Sequence, residues 1–177
     1  MFRLSLFALL LMLAGCAAMA PRPQVVLPTL HLAPAALGQE LAVQQQLLFT
    51  FGSHERELVA LLEVDATEVR LAVEAMGQSG VRLLWDGSTL EERRAPWLPP
   101  QLRSARVLDD LQFVHWPVAA IRAVLPSGWE LEADGDSRRL VFAGHTWLSA
   151  HYAPGQVTLD NPADGYRLRI RSAGGAR

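Results

Sequence analysis

Few residues in this 177-residue chain are spaced for chemistry. His145 and His151 fall on the same face of one expected strand, with Trp147 and Ser149 between them. Six residues of extended chain set them about 20 Å apart, too far to share one metal ion. Asp109 and Asp110 could pass for an acid pair, but adjacent helical side chains point about 100° apart. Their carboxylates diverge, and a solvated face or a capping role is the expectation for both. His54 or His115 could serve as a base, yet neither has a visible nucleophile beside it. No Gly-x-Ser-x-Gly, no His-Glu-x-x-His and no phosphate-binding loop occurs. The expectation is a protein that is not an enzyme, with no catalytic residues, no metal and no cofactor.

The plainest chemistry belongs to Cys16, the single cysteine. Met1 to Met19 carries one charge, Arg3, followed by an apolar run from Leu4 to Leu13. About ten apolar residues are too few to span a bilayer and fit the core of a secretory signal. Leu13-Ala14-Gly15-Cys16 at its end resembles the bacterial lipobox. That resemblance implies cleavage before Cys16, a diacylglyceryl group on its thiol and acylation of its amine. Ala17, rather than Asp, follows the cysteine, which implies sorting to the inner leaflet of the outer membrane, facing the periplasm. One acyl chain anchors only marginally at about 0.8 kcal/mol per buried CH₂, and three exceed that comfortably. With one cysteine no disulfide and no Cys-rich zinc site can form, so stability must come from the core.

Composition excludes other classes. The chain is 50% hydrophobic and 19% charged with a net charge of -2, and its mean hydropathy is +0.15. Disorder is ruled out, and the basic excess that nucleic-acid binding requires is missing. All basic side chains except the histidines are Arg. The excess hydrophobicity is uneven: residues 1–15 form the signal peptide, and 16–38, with Pro21, Pro23, Pro28 and Pro34, form an expected Ala/Pro-rich tether.

Any ligand-holding residues must be positioned by the elements beyond that tether. Leu58, Ala60, Leu62 and Val64 alternate with charged partners, and Val69, Leu71, Val73 and Ala75 lie opposite Glu68, Arg70 and Glu74. Such alternation marks half-buried antiparallel strands. Gln45–Phe51, Gly80–Asp86 and Thr89–Arg94 complete a first set of five. Ser104 is the expected cap of a helix from Ala105 to about Trp116, and Pro117 permits a second from Val118 to Leu125. Strands resume at Trp129–Ala133, Arg138–Phe142, Thr146–Tyr152, Gln156–Asp160 and Tyr166–Arg171. The expected domain is 39–172, with 173–177 a flexible tail. The fold class is mainly β (α+β): an open antiparallel half-barrel whose apolar face must be covered by the helical insertion or enclose a ligand.

Lipobox, tethered meander, helical insertion and further strands together resemble the outer-membrane lipoprotein receptor LolB and its periplasmic partner LolA. The resemblance spans about Leu41 to Ile170. It implies an open β-barrel with a helical lid over an acyl-binding cavity, and a LolA-like carrier as partner. In LolB a hydrophobic side chain protrudes from a strand-joining loop and helps insert cargo; Met76, in Ala75-Met76-Gly77-Gln78-Ser79, is its expected counterpart, with Ala-Met replacing Pro-Leu. The run Val107-Leu108-Asp109-Asp110-Leu111-Gln112-Phe113-Val114-His115-Trp116-Pro117 further resembles the signature of a lipoprotein family of unknown function, often encoded in aryl polyene gene clusters. That resemblance implies a role in seating a lipid-like product or lipoprotein at the outer membrane.

Five tryptophans add to the cavity reading. Phe49, Phe51, Leu62, Leu71, Val73, Trp85, Leu111, Trp116, Trp129 and Leu131 are the expected lining of an apolar site. A chain of about sixteen carbons left in water forfeits roughly 12 kcal/mol, so a carrier must enclose it nearly completely. Two functions are open. One is an outer-membrane lipoprotein, expected as a monomer, that binds and transfers an apolar or acylated cargo: lipoprotein, lipid or aryl polyene lipid. The other is an accessory lipoprotein whose sheet is closed by its own side chains and which binds a protein partner. A cavity of several hundred Å³ would favour the first.

Overall fold

The computed structural model describes residues 25–98 and 103–173. The signal segment, Cys16, the first part of the tether and residues 99–102 and 174–177 lie outside the described residues. The elements in chain order are β1 (Leu41–Phe51), β2 (His54–Val64), β3 (Val69–Ala75), β4 (Gln78–Trp85), β5 (Leu90–Arg94), α1 (Ser104–His115), α2 (Val118–Val124), β6 (Trp129–Asp134), β7 (Ser137–Phe142), β8 (His145–Ala153), β9 (Gln156–Asn161) and β10 (Tyr166–Ala173).

All ten strands form one antiparallel sheet in the order β5-β4-β3-β2-β1-β10-β9-β8-β7-β6. Two meanders of five meet where β1 pairs with β10, Leu47 opposite Ile170 and Phe51 opposite Tyr166. The free edges, β5 and β6, are neighbours in sequence, and α1 and α2 fill the connection between them. The insertion therefore crosses the apolar face of the sheet.

The sheet cannot be flat beneath it. Val81 on β4 and Leu159 on β9 line the same cavity, although five strand spacings of about 4.8 Å would put them roughly 24 Å apart in a flat sheet. Curling places Leu62, Val69, Val81, Leu140, Leu148 and Leu159 inside, each almost without exposure, around the fully buried Phe113, Trp116 and Ile121 of the insertion. The alternation in β3 predicts this correctly, with Arg70 and Glu74 outside and Val69, Leu71 and Val73 inside.

The side of α1 facing β7 and β8 is bolted in place. Arg138 donates to the carbonyls of Phe113 (2.9 Å) and Trp116 (2.7 Å), and the Tyr152 hydroxyl donates to that of Val114 at 2.8 Å. These carbonyls, at and just past the last turn, are ones the helix cannot satisfy itself. Arg122 of α2 donates twice to the Leu131 carbonyl, covering part of the otherwise open β6 edge.

One expectation is overturned. The segment assigned to a tether through Gly38 belongs to the domain from about Leu27 onward. Leu27, Leu30, Leu32 and Leu37 are buried, and Pro34–Leu37 forms a short 3₁₀ turn closed by Gly38 in the left-handed region. Proline density does exclude helix and central strand here. It does not exclude an extended strap whose backbone groups are satisfied by side chains, and that is what forms.

Candidate functional site

Between the sheet and α1 lies a partly open apolar cavity of about 90 Å³. Phe49, Leu58, Leu71, Val73 and Val81 supply its floor, and Val107, Leu111 and Val114 supply its roof. Four of the ten residues expected to line it do so: Phe49, Leu71, Val73 and Leu111. Phe51, Leu62, Trp85, Trp116, Trp129 and Leu131 lie outside the lining. Leu62 and Leu131 are core residues, Phe51 packs against the core, and Trp129 stacks on Phe142 with ring centroids 5.0 Å apart. Trp85 and Trp116 are committed to the strap.

Beside its buried leucines, the strap is held by polar contacts to its backbone. The Leu32 N–H donates to Gln112 Oε1 at 2.9 Å, and Gln112 Nε2 donates to the Leu32 carbonyl at 2.8 Å. That carbonyl also accepts from the Trp85 indole at 2.8 Å. The Leu30 N–H donates to Asp109 Oδ1 at 2.8 Å, and the Trp116 indole donates to the Ala33 carbonyl at 3.1 Å. Asp109, Gln112 and Trp116 are spaced i, i+3, i+7, one face of a helix. Part of the signature run in α1 therefore builds a clamp for the strap.

The other face of α1 carries a buried charged cluster against the cavity. Arg106 Nε lies 2.9 Å from Asp110 Oδ1, its Nη1 lies 3.8 Å from Asp109, and the Tyr166 hydroxyl donates to Asp110 Oδ2. The adjacent aspartates do diverge, one to the strap and one to β10. The expectation that they are solvated or capping is wrong: both are buried. Two carboxylates share one guanidinium in a dry site, so burial outweighs the Arg106 charge and pushes Asp110 up to about 6. Burial likewise raises Asp109 and, helped by the Asp110 charge, Tyr166. His115, also at the cavity, is pushed down to about 4 by burial and then by the Arg138 charge.

Met76 sits at the tip of the β3–β4 hairpin, 87% exposed. Ala75 pairs with Gln78, so Met76 and Gly77 form a two-residue loop, with φ of 50° and 72°. A hairpin turn of this kind favours Asn-Gly, and a bulky apolar residue at positive φ is uncommon. Of the remaining candidates, His145 and His151 are both exposed. Among the described residues no group of three or more His, Cys, Asp or Glu is placed to hold a metal ion.

A model of the family described as "Protein of unknown function (DUF3261)" matches residues 42–174. The chain belongs to this DUF3261 family. No curated protein matches it. The matched range begins beyond the strap, yet Asp109, Gln112 and Trp116, which hold the strap, all lie within it. In this DUF3261 chain the residues that sequence reasoning missed are Arg106, Gln112 and Tyr166. The helical spacing of 109, 112 and 116 is the signal that could have found the clamp.

Proposed function

We propose that the protein is an outer-membrane-anchored lipoprotein that binds and transfers an apolar or acylated cargo, with its acyl or polyene portion in the cavity beneath α1. The observation that carries this reading is the cavity itself: apolar on floor and roof, bordered by a few convergent polar groups, Arg106, Asp110 and Tyr166, as ligand sites are. The open antiparallel sheet is consistent with a LolA/LolB-like barrel. Met76 serves as the cargo-insertion tip, and the resemblance of the α1 run adds aryl polyene lipid to lipoprotein and lipid as candidate cargo. The anchor is lipidated Cys16, and a periplasmic LolA-like carrier is the donor partner.

At about 90 Å³ the cavity is smaller than the roughly 150 Å³ that admits benzene. It takes the end of a chain and not its length. A longer chain requires the N-terminal turns of α1 to part from the sheet, where the Arg106–Asp110–Tyr166 cluster, the 3.7 Å Arg103–Asp164 pair and the bond from the Leu30 N–H to Asp109 hold them. The C-terminal half stays fixed by the strap, Arg138 and Tyr152. A cavity of several hundred Å³ would favour transfer; at about 90 Å³ the volume favours the second reading, an accessory lipoprotein filled by its own side chains that binds a protein partner. Mass spectrometry of gently purified, tagless protein discriminates: a bound lipid or polyene beyond the Cys16 acyl groups supports transfer, and none supports the accessory role.

A further inference from the structure

The turns Phe51–His54 and Ala75–Gln78 and the segment 161–166 share one end of the barrel, as the pairings of β1 with β2 and β10 and of β3 with β4 require. Among the described residues, Met76 and Trp97, the latter 44% exposed, stand at that end as exposed apolar side chains, with the half-exposed Val59 beside Met76 on the outer face. Trp97 packs over Gly80, the extra residue of a β-bulge in β4: a Cβ there would lie 3.5 Å from the indole. Just inside lie Val73, Val81 and Leu98 of the cavity lining.

We propose that this end is a bilayer-docking face, with Met76 and Trp97 seated at the boundary of headgroups and acyl chains. The inference rests on the lipid-anchor reading above. Tryptophan suits that boundary because its body is apolar and its N–H polar. A methionine held at positive φ where Asn would relax the turn is a cost that folding alone does not require. Glu55, Arg56, Glu57 and Glu74 give this end charges of both signs, so insertion rather than attraction to anionic headgroups is the mode of contact. The route of the chain supports the same orientation. Its partners run from Gln112 back to Asp109 as the strap is traced from Leu32 to Leu30, toward the N-terminus of α1. The Arg103–Asp164 pair puts that N-terminus at the docking end. From Val25 to Cys16 is nine residues, at most about 32 Å of extended chain.

The test uses the full lipidated chain in phosphatidylethanolamine–phosphatidylglycerol vesicles carrying nitroxide-labelled lipid. A fluorophore is placed at Met76→Cys or, at the opposite end, at the exposed Ala66→Cys. Docking predicts that the label at 76 is quenched at least about twofold more than that at 66, with little change when phosphatidylglycerol is omitted. Equal quenching, or none at 76, overturns the docking face and favours a protein partner there. The intact mass reports the lipid on Cys16 separately. An anchored chain with unquenched 76 refutes docking alone. A chain without lipid refutes the anchor, and quenching on added vesicles then decides docking.

Discussion

Replacing Gln112 with Leu isolates the strap clamp. Gln112 is fully buried and makes both of its bonds to Leu32. In Gln112→Leu the Leu32 carbonyl keeps the Trp85 indole, but its N–H loses its acceptor in a dry site. An orphaned buried donor costs about 1–3 kcal/mol, and the lost amide–carbonyl bond adds about 1, offset in part by the greater apolarity of leucine. The expected loss is about 2–3 kcal/mol, read as a shift of the urea midpoint at unchanged slope. Hydrogen exchange localises it, since the Leu32 amide should lose protection well ahead of the Leu140 and Leu148 amides. Trp85→Phe sharpens the test. In that background Gln112→Leu strips the carbonyl of both donors, so the pair should exceed additivity by about 1 kcal/mol. A Leu32 amide as protected as in the parent, or strict additivity, would refute the clamp as an energetic unit.

Other expectations concern stability, pH and the exposed tip. A chain starting at residue 39, which a tether reading would leave intact, should lose cooperative unfolding, because burial of each strap leucine contributes about 1.5–3 kcal/mol; a chain starting at Val25 should not. Asp110 and His115 oppose one another. The raised Asp110 contributes stability that is full below its ordinary value near 3.8 and lost as pH rises through about 6. The lowered His115 contributes stability that is present above 6.5 and lost as pH falls through about 4. Between pH 4 and 6 the two offset, so urea midpoints should fall with acidification more steeply in Asp110→Asn and less steeply in His115→Gln than in the parent. Met76→Asn should stabilise the domain by about 1 kcal/mol by relaxing the turn, while lowering vesicle quenching or cargo release; thermal unfolding and the vesicle assay check both sides.

The strands were most legible where one face is packed and the other wet, as in β2 and β3, where a period of two runs through the sequence; β5, Leu-Glu-Glu-Arg-Arg, carries no such period and was marked by its flanking turns. The Pro117 break was equally plain, since proline at that position ends one helix and suits the start of the next. The strap was not legible. Its backbone partners are side chains about eighty residues away, and proline density points to the absence of regular structure, not to the absence of burial. The tryptophans mislead for a related reason. Trp85 and Trp116 face inward as expected, but their indole N–H groups are engaged with strap carbonyls, which takes them out of the cavity wall. Charge alone misreads Asp109 and Asp110. Arg106 about one turn away, with the Leu30 N–H on Asp109 and the Tyr166 hydroxyl on Asp110, is what lets both be buried.

The claim that an apolar chain enters beneath α1 is tested most directly by titrating an environment-sensitive fluorescent fatty acid into the parent and into Leu111→Trp. Leu111 is half-buried at the cavity roof, so the larger side chain fills the space with little cost to folding. The cavity account predicts saturable binding to the parent near one per chain, and at least about tenfold weaker binding to a folded Leu111→Trp, roughly 1.4 kcal/mol. No saturable binding, or equal binding to the filled variant, would contradict it.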